Sequence, residues 1–395
     1  MSTPNSMQYY LLPEDFGAKG DGFSDDTEAL KHCIASASGG MGIVNLKPHV
    51  TYVITQTLVI PNYISVIGNN ASIKVSSVWN KVTVGASVPI NTIIWVKGRE
   101  PFAGTDLSMS TRFIEDLKIS GNPNYSNLIG MYMGTADQSE ITQSTSVNYS
   151  VYKCAFKNIS ISYVSTGLFL AEVWGSYFEN IHTSYIWDCG LKIQGQIVNN
   201  TFVGCQFSGL YNGVYVNGAT YQGFIRRPEG CTFLGGFIGS AKIGVNVVRG
   251  LAFKFSHVII DLNTLYAVTG ADMSDFVFDG CWIYCTARAI DIQAIYSIQN
   301  NTYVAFNNCH VISDGYTDPY VTYVHVRQNG IVFNGCKING VMYWDDASSG
   351  VVTNCIWGDK TTTKPRIIKY GTGYVRQSLN MFKQDGRLVV TLGTW

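Results

Sequence analysis

Charged side chains make up only 14% of this 395-residue chain, so the few that cluster stand out. Arg226, Arg227 and Glu229 stand together in RRPEG. Two adjacent guanidiniums offer planar, paired donors that suit the carboxylate of an acidic sugar. The competing reading is a charged turn closed by its own ion pairs. Glu172 and Trp174 share AEVWGSY, and Asp272 and Asp275 share ADMSDF. Glycoside hydrolysis needs two carboxyl groups, about 5 Å apart for retention or roughly 6.5–9.5 Å for inversion. One protonates the leaving oxygen, and the other attacks or activates water. Glu172, Asp272, Asp275 and Glu229 are therefore the candidate catalytic acids. Arg226, Arg227, Arg249 and Arg327 are candidate partners for substrate carboxylates or hydroxyls, and Trp174 and Tyr221 are candidate stacking rings. The bland alternative treats both acid-bearing segments as polar loops between strands, with the acids solvated.

What could position these residues is a phrase that returns along the chain: VYKC, FVGC, PEGC, FDGC, FNNC, FNGC and VTNC, ending at Cys154, Cys205, Cys231, Cys281, Cys309, Cys336 and Cys355. With Asn180 and His257 filling the two long gaps, successive intervals are 26, 25, 26, 26, 24, 28, 27 and 19 residues. Self-similarity at this period marks a solenoid. The runs between, such as GVYVNG, IGVNVV and YVAFNNCHV, alternate apolar residues and are rich in Val, Ile, Phe and Tyr, which reads as strand. Three short strands and their turns fill one coil of a parallel β-helix. Equivalent positions on adjacent coils then lie about 4.8 Å apart, and on alternate coils about twice that. Counted from these markers, Glu172 and Arg249 fall eight residues before theirs, and Asp272 and Arg327 nine before. Asp275 and Trp174 both fall six before. Glu172 and Asp272 are four coils apart, so either Asp272 pairs with Asp275 on one coil or Glu172 works across an interface between chains. His257 occupies a marker slot and reads as a core or turn histidine. Asp279 matches Asn307 and Asn334 and reads as a turn residue, and Asp261, Asp314, Asp345 and Asp346 have no support beyond exposure.

The rest of the composition narrows the class. Lys plus Arg equals Asp plus Glu at 27 each, so no basic surface points to nucleic acid. No apolar run reaches the length needed to cross a bilayer. The opening MSTPNSMQYY lacks the basic and apolar regions of a signal peptide, which predicts synthesis in a cytoplasm. Ten cysteines, seven of them at one coil position, read as buried thiols acting as small hydrophobes. Disulfides suit neither a large core nor a reducing compartment. Zinc needs paired ligands, and Cys281 with Cys285 lacks a matching pair, so neither a metal nor a cofactor is expected.

Residues 14–37, EDFGAKGDGFSDDTEALKHCIASA, predict a short helix. Asp25 with Glu28 resembles a capping box, and Ala29, Leu30, Cys33, Ile34 and Ala37 share one side. Laid over the first coil, such a helix covers an otherwise open sheet end. Gly17, Gly20 and Gly22 have the wrong spacing for a dinucleotide loop and read as turn residues. The expected organisation is an N-terminal segment and capping helix over 1–40, a parallel β-helix over 41–357, and a C-terminal cap or chain-to-chain contact over 358–395.

FGAKGDGFSDDTEAL, followed by the strands GIVNL and YVIT, resembles the opening of the pectate-lyase-like β-helix superfamily. The likeness is specific over 14–60, and the coils extend it to about 357. It implies an all-β, right-handed, single-stranded parallel β-helix. It does not imply one chemistry. The polygalacturonase pattern is missing: Asn263-Thr264 is followed by Leu265, and no Gly-His-Gly occurs. No set of calcium-binding aspartates with a catalytic arginine is evident either. What remains is similar to bacteriophage tailspike depolymerases, whose catalytic carboxylates follow no fixed motif. That resemblance implies a homotrimer, phage tail or baseplate partners, synthesis in the host cytoplasm, a place in the virion tail and action at the bacterial surface. It also implies an N-terminal particle-binding domain, here very short or removed. The expected activity is endo-glycosidic hydrolysis of a capsule or O-antigen by an acid pair. The alternatives are a polysaccharide lyase acting on uronates, a receptor-binding spike without catalysis and, last, a secreted pectinase.

Overall fold

The computed structural model describes residues 9–38, 42–80, 91–98, 112–134, 151–221, 224–292, 303–313, 324–326, 330–344, 350–357, 367–369, 375–384 and 387–394. It resolves into two units, 1–206 with 220–226, and 207–219 with 227–395. The chain is a right-handed parallel β-helix with an N-terminal capping helix.

In the first unit one ladder runs through Tyr10–Leu11, Ile43–Asn45, Ser65–Val75, Arg112–Ser120, Cys154–Trp174, Tyr177–Val198 and Thr201–Val203, every pairing parallel. A second joins Leu58–Pro61, Thr92–Lys97, Ile129–Gly134 and Cys154–Trp174. The two longest strands turn corners without losing pairing, because single residues adopt the left-handed conformation: Asn158 and Tyr163 in one, Asn180 and Tyr185 in the next. Asn tolerates that conformation because its short amide bonds locally. The corner amides also bond to one another. Asn180 Nδ2 donates to Asn158 Oδ1 at 2.9 Å, and Asn158 Nδ2 donates to Asp116 Oδ1 at 2.8 Å. Inside the coils Phe156, Phe178 and Phe202 stack with centroids 5.0 and 4.7 Å apart.

The second unit repeats this in three parallel ladders. Phe233, Phe255, Phe278, Phe306 and Phe333 form its central stack, at spacings of 4.6–4.8 Å. Val375–Gln384 pairs in parallel with Gly350–Thr353 on one side and antiparallel with Arg387–Thr394 on the other.

The strand register corrects the sequence reading of the cysteines, because the recurring phrase marks two corners rather than one. Cys154 pairs in position with Ser176, one residue before the Ala155–Tyr177 match, and Cys231 with Phe253. Cys281, Cys309, Cys336 and Cys355 follow the other corner, together with Val258. There each sulfur of Cys281, Cys309 and Cys336 lies 3.2–3.4 Å from the carbonyl of Phe255, Phe278 or Phe306 on the preceding coil. The confusion has a steric origin: both corners need a left-handed residue just before the cysteine, which is Lys153, Gly230, Gly280, Asn308, Gly335 or Asn354. His257 and Asn180 are themselves such corner residues, so each stands one place before the slot assigned to it. His257 is an exposed turn histidine.

The helix Thr27–Ser38 buries Leu30, Cys33, Ile34 and Ala37. The reciprocal capping box does not form. Asp25 Oδ1 accepts from Thr27 N at 3.0 Å, but Glu28 turns outward to Lys31 Nζ at 2.9 Å. The carboxylate that ties this segment together is Asp26, which is 1% exposed and accepts from Lys19 N at 2.7 Å and Gly20 N at 3.2 Å. Gly20 is required there, since its φ is +60° and an added Cβ would stand 3.0 Å from Val50 Cγ2.

Two predictions follow from the packing. Asp26→Ala strands two amides and lowers unfolding stability by about 3 kcal/mol, whereas Asp25→Ala, which removes a helix cap, lowers it by about 1 kcal/mol; urea denaturation of both variants checks the order. All ten cysteines are buried and free, and burial pushes the thiols of Cys33 and Cys154 up to about 12 and that of Cys205 up to about 11. The native protein should therefore react with a disulfide reagent near neutral pH only as fast as it unfolds, and a rapid phase of labelling would contradict this packing.

Candidate functional site

A corner in each unit carries the candidate residues. Gly175 and Asn199 occupy that of the first unit, and Gly230, Ala252 and Asp275 that of the second. All five have positive φ. Three residues before it stand Glu172 and Gln196, which pair in register, and likewise Arg227, Arg249 and Asp272. Arg327 has the same offset from Gly330, but it lies outside the described residues. Within the second unit this offset is shared by Arg227, Arg249 and Asp272, and within the first by Glu172 and Gln196. The position of Asp275 is different from that expected. It is the corner itself, exposed and left-handed, while Trp174 stands one residue before its own corner.

Arg227, Arg249 and Asp272 are brought into contact. Arg249 and Asp272 face each other directly across the Ile243–Leu251 and Tyr266–Ser274 strands. Arg249 Nε lies 3.3 Å from Asp272 Oδ2, and Arg227 Nη2 lies 3.7 Å from the same oxygen. Asp272 is 4% exposed, and each arginine side chain keeps 15% of its surface. Alternation along the strands explains the burial, because Arg249 and Asp272 continue the inward set begun by Val245, Val247 and Val268. Asp272 Oδ2 and Arg249 Nε have no hydrogen-bond partner among the described residues, so their attraction is Coulombic rather than a fitted fork. Two cations share one anion, and both cations reach solvent. An external anion can approach the guanidiniums while Asp272 stays covered.

Glu229 stands two residues beyond Arg227, half-buried, in a parallel bridge with Leu251. Asp275 makes no ion pair or hydrogen bond among the described residues. Tyr221 and Arg226 lie in the strands Ala219–Tyr221 and Phe224–Arg226, and their side chains lie outside the described residues, as do Asp314, Asp345 and Asp346.

Glu172, in the first unit, is wholly enclosed. The register against the next coil slips between Leu170 and Glu172, and such bulges re-aim side chains. Glycines flank it on both sides: a Cβ on Gly134 would stand 3.0 Å from Glu172 N, and one on Gly195 3.7 Å from Glu172 Oε1. Tyr132 is close enough for the Glu172 charge to add to burial in pushing its phenol above the ordinary value. Trp95 packs edge-on to Tyr132 at 6.4 Å and donates to the Gly134 carbonyl at 2.8 Å. Trp174 is half-buried, and its Nε1 has no hydrogen-bond partner among the described residues.

A buried acid that motif-reading missed is Asp291, 1% exposed and 3.3 Å from Arg288 Nη1. Its only sequence signal is the i,i+3 spacing in RAID. Among the described residues no group of three or more His, Cys, Asp or Glu comes together as a metal site.

Residues 14–235 match the family described as rhamnogalacturonase A/epimerase, pectate lyase-like. The chain belongs to that family. Among curated relatives, the chain is 25% identical over 342 residues to depolymerase 1, capsule KN3-specific, of Klebsiella phage KN3-1, covering 76% of this chain and 40% of that protein. It thus spans about two fifths of the relative's length. Among solved structures, the A-module of mannuronan C-5 epimerase AlgE6 from Azotobacter vinelandii aligns with a TM-score of 0.54 at 17% identity, covering 94% of this chain and 99% of the other. The family 28 exopolygalacturonase of Yersinia enterocolitica aligns with a TM-score of 0.52 at 11% identity, covering 97% and 80%. Both likenesses concern the β-helix fold of the family.

The contact among Arg227, Arg249 and Asp272 predicts a stability order. Asp272→Ala leaves two half-buried guanidiniums without their counter-ion and should cost about 2 kcal/mol, more than Asp275→Ala at the exposed corner, which should stay within about 0.5 kcal/mol. Thermal unfolding of the two variants measures the difference.

Proposed function

We propose that this chain is the glycan-recognising and glycan-cleaving β-helix of a phage tailspike depolymerase, acting on a bacterial capsule or O-antigen. The observation that carries the reading is the Arg227–Arg249–Asp272 cluster, in which two partly exposed cations meet one covered anion. Its support from kinship is the similarity to a capsule-specific phage depolymerase over most of the chain's length. The first chemistry we propose is endo-glycosidic hydrolysis. Asp272, held between guanidiniums, serves as the charged carboxylate, and Asp275, exposed at the adjoining corner, or Glu229 supplies the proton to the leaving oxygen. Glu172, with Trp174 beside it, is a second candidate acid. Trp174, Tyr221, Arg226, Arg227, Arg249 and Arg327 bind substrate. The active form is a homotrimer held at the virion tail through tail or baseplate proteins, with residues 358–395 closing the helix or meeting a neighbouring chain.

The surplus of guanidinium over carboxylate also favours a second reading, β-elimination on a uronate. There the arginines neutralise the sugar carboxylate, a base takes the proton α to it, and the glycosidic oxygen leaves as a C4–C5 double bond forms.

Digestion of purified capsular and O-antigen polysaccharides, the KN3 capsule among them, tests both. Shorter fragments without new near-ultraviolet absorbance are the expected result, with Asp272→Asn slowing cleavage by about 100-fold or more. Fragments carrying that absorbance would transfer the case to elimination. Polysaccharide bound but left intact would overturn the enzymatic reading.

A further inference from the structure

We infer that Tyr163 and Tyr185 form a second saccharide-binding site, an aromatic platform for the apolar side of an uncharged pyranose, apart from the charged column; this rests on the glycan-binding function proposed above. The two rings lie on adjacent coils of the first unit, stacked with centroids 4.9 Å apart and planes 4° from parallel. Tyr163 is 41% exposed and Tyr185 70%. With one side of its ring against Tyr163, Tyr185 can reach that exposure only if the other side and the hydroxyl edge are open to solvent.

Both tyrosines occupy left-handed corners, with φ of +57° and +53°. A bulky aromatic residue is an outlier in that conformation, and such strain concentrates at functional positions. The chain has the relaxed solution at hand, since Asn158 and Asn180 fill the corners just five residues earlier on the same two strands. Ser240, Ala252 and Leu262 hold the same conformation at other corners, so it is the stacking of two exposed rings at strained positions, rather than φ alone, that points to an external partner.

The neighbouring side chains indicate the ligand. Ser162 pairs in register with Ser184, Ser160 with His182, and His182 with Gln206. All are solvent-accessible, and none of their side chains hydrogen-bonds among the described residues. A strip of hydroxyl, imidazole and amide groups beside a ring stack matches a sugar, which offers C–H groups on one side and hydroxyls at its rim. A carboxylate or phosphate would call for guanidiniums; the strip holds no arginine, and the cation bordering it is the exposed Lys118, in register with Ser160, so hydroxyl, imidazole and amide groups outnumber charge. A second copy of the chain is a poorer occupant. Covering both rings buries on the order of 200 Å², against roughly 800 Å² per partner in a stable protein interface.

The test uses Tyr185→Asn, which removes the ring and suits the corner, with Tyr185→Trp as the ring-preserving control. Each protein is run by affinity electrophoresis through gels containing purified capsular or O-antigen polysaccharides, and cleavage of the same polysaccharides is followed separately. The expected result is retardation of the wild-type chain by at least one polysaccharide, weakened about fivefold to tenfold in Tyr185→Asn and kept in Tyr185→Trp, with the asparagine variant at least as heat-stable as wild type. Equal retardation of wild type and Tyr185→Asn would overturn the inference while leaving the depolymerase reading intact. A change of molecular mass in Tyr185→Asn by light scattering would overturn it in favour of a contact between copies. Failure of the wild-type chain to bind or cleave any polysaccharide would remove both.

Discussion

The constraint from which the rest of this structure follows is coil-on-coil register. Each parallel pairing sets a side chain about 4.8 Å from its counterpart on the next coil, so like must lie on like. Phenylalanine on phenylalanine holds the centre of both units at spacings of 4.6–5.0 Å. Isolated rings would gain little by lying face to face, since offset or edge-on contact suits their quadrupoles better. Here the backbone fixes the spacing, and burial of apolar surface on both sides of every ring outweighs that preference. The same rule sets an arginine over an aspartate, with the charge contact following from backbone pairing.

Much of the fold can be read from sequence because the register is written as periodicity. The coil length, the strand content and the capping helix all come from patterns of apolar residues that recur locally. The two-corner structure does not, because both corners demand the same left-handed residue before a small buried one, and GC or NC spells either. Counting from such a phrase misplaces His257 and Asn180 by one residue and puts Asp275 beside Trp174, where it does not belong. Arg249 with Asp272 survived this because a one-residue error in one marker left the two within a residue of alignment. Arg227 falls out of the column when counted from Cys231, because that cysteine follows the other corner from Cys281. The stacked tyrosines have no sequence signature at all. They stand 22 residues apart, and nothing in an interval distinguishes a stack on the outside of a corner from two unrelated surface rings.

The site candidates divide along the same line. Residue type pointed to Glu172 and to Asp272, but not to the difference between them. Glu172 is enclosed by glycines and aromatic rings at a slipped register, whereas Asp272 is covered by two cations that themselves reach water. That contrast depends on strand alternation near a corner, where an inward position stops being fully interior. Charge is tolerated there because one end of a long arginine can stay wet while its stem packs.

The corner amides carry a direction. Asn180 donates to Asn158, and Asn158 donates to Asp116, which has only lone pairs to offer. The series therefore begins at a carboxylate, and each of these two amides donates a hydrogen bond back to the preceding coil. Hydrolysis of Asn158 to aspartate would set two acceptors against each other at hydrogen-bond range, and the break would sit at a corner already held in the left-handed conformation.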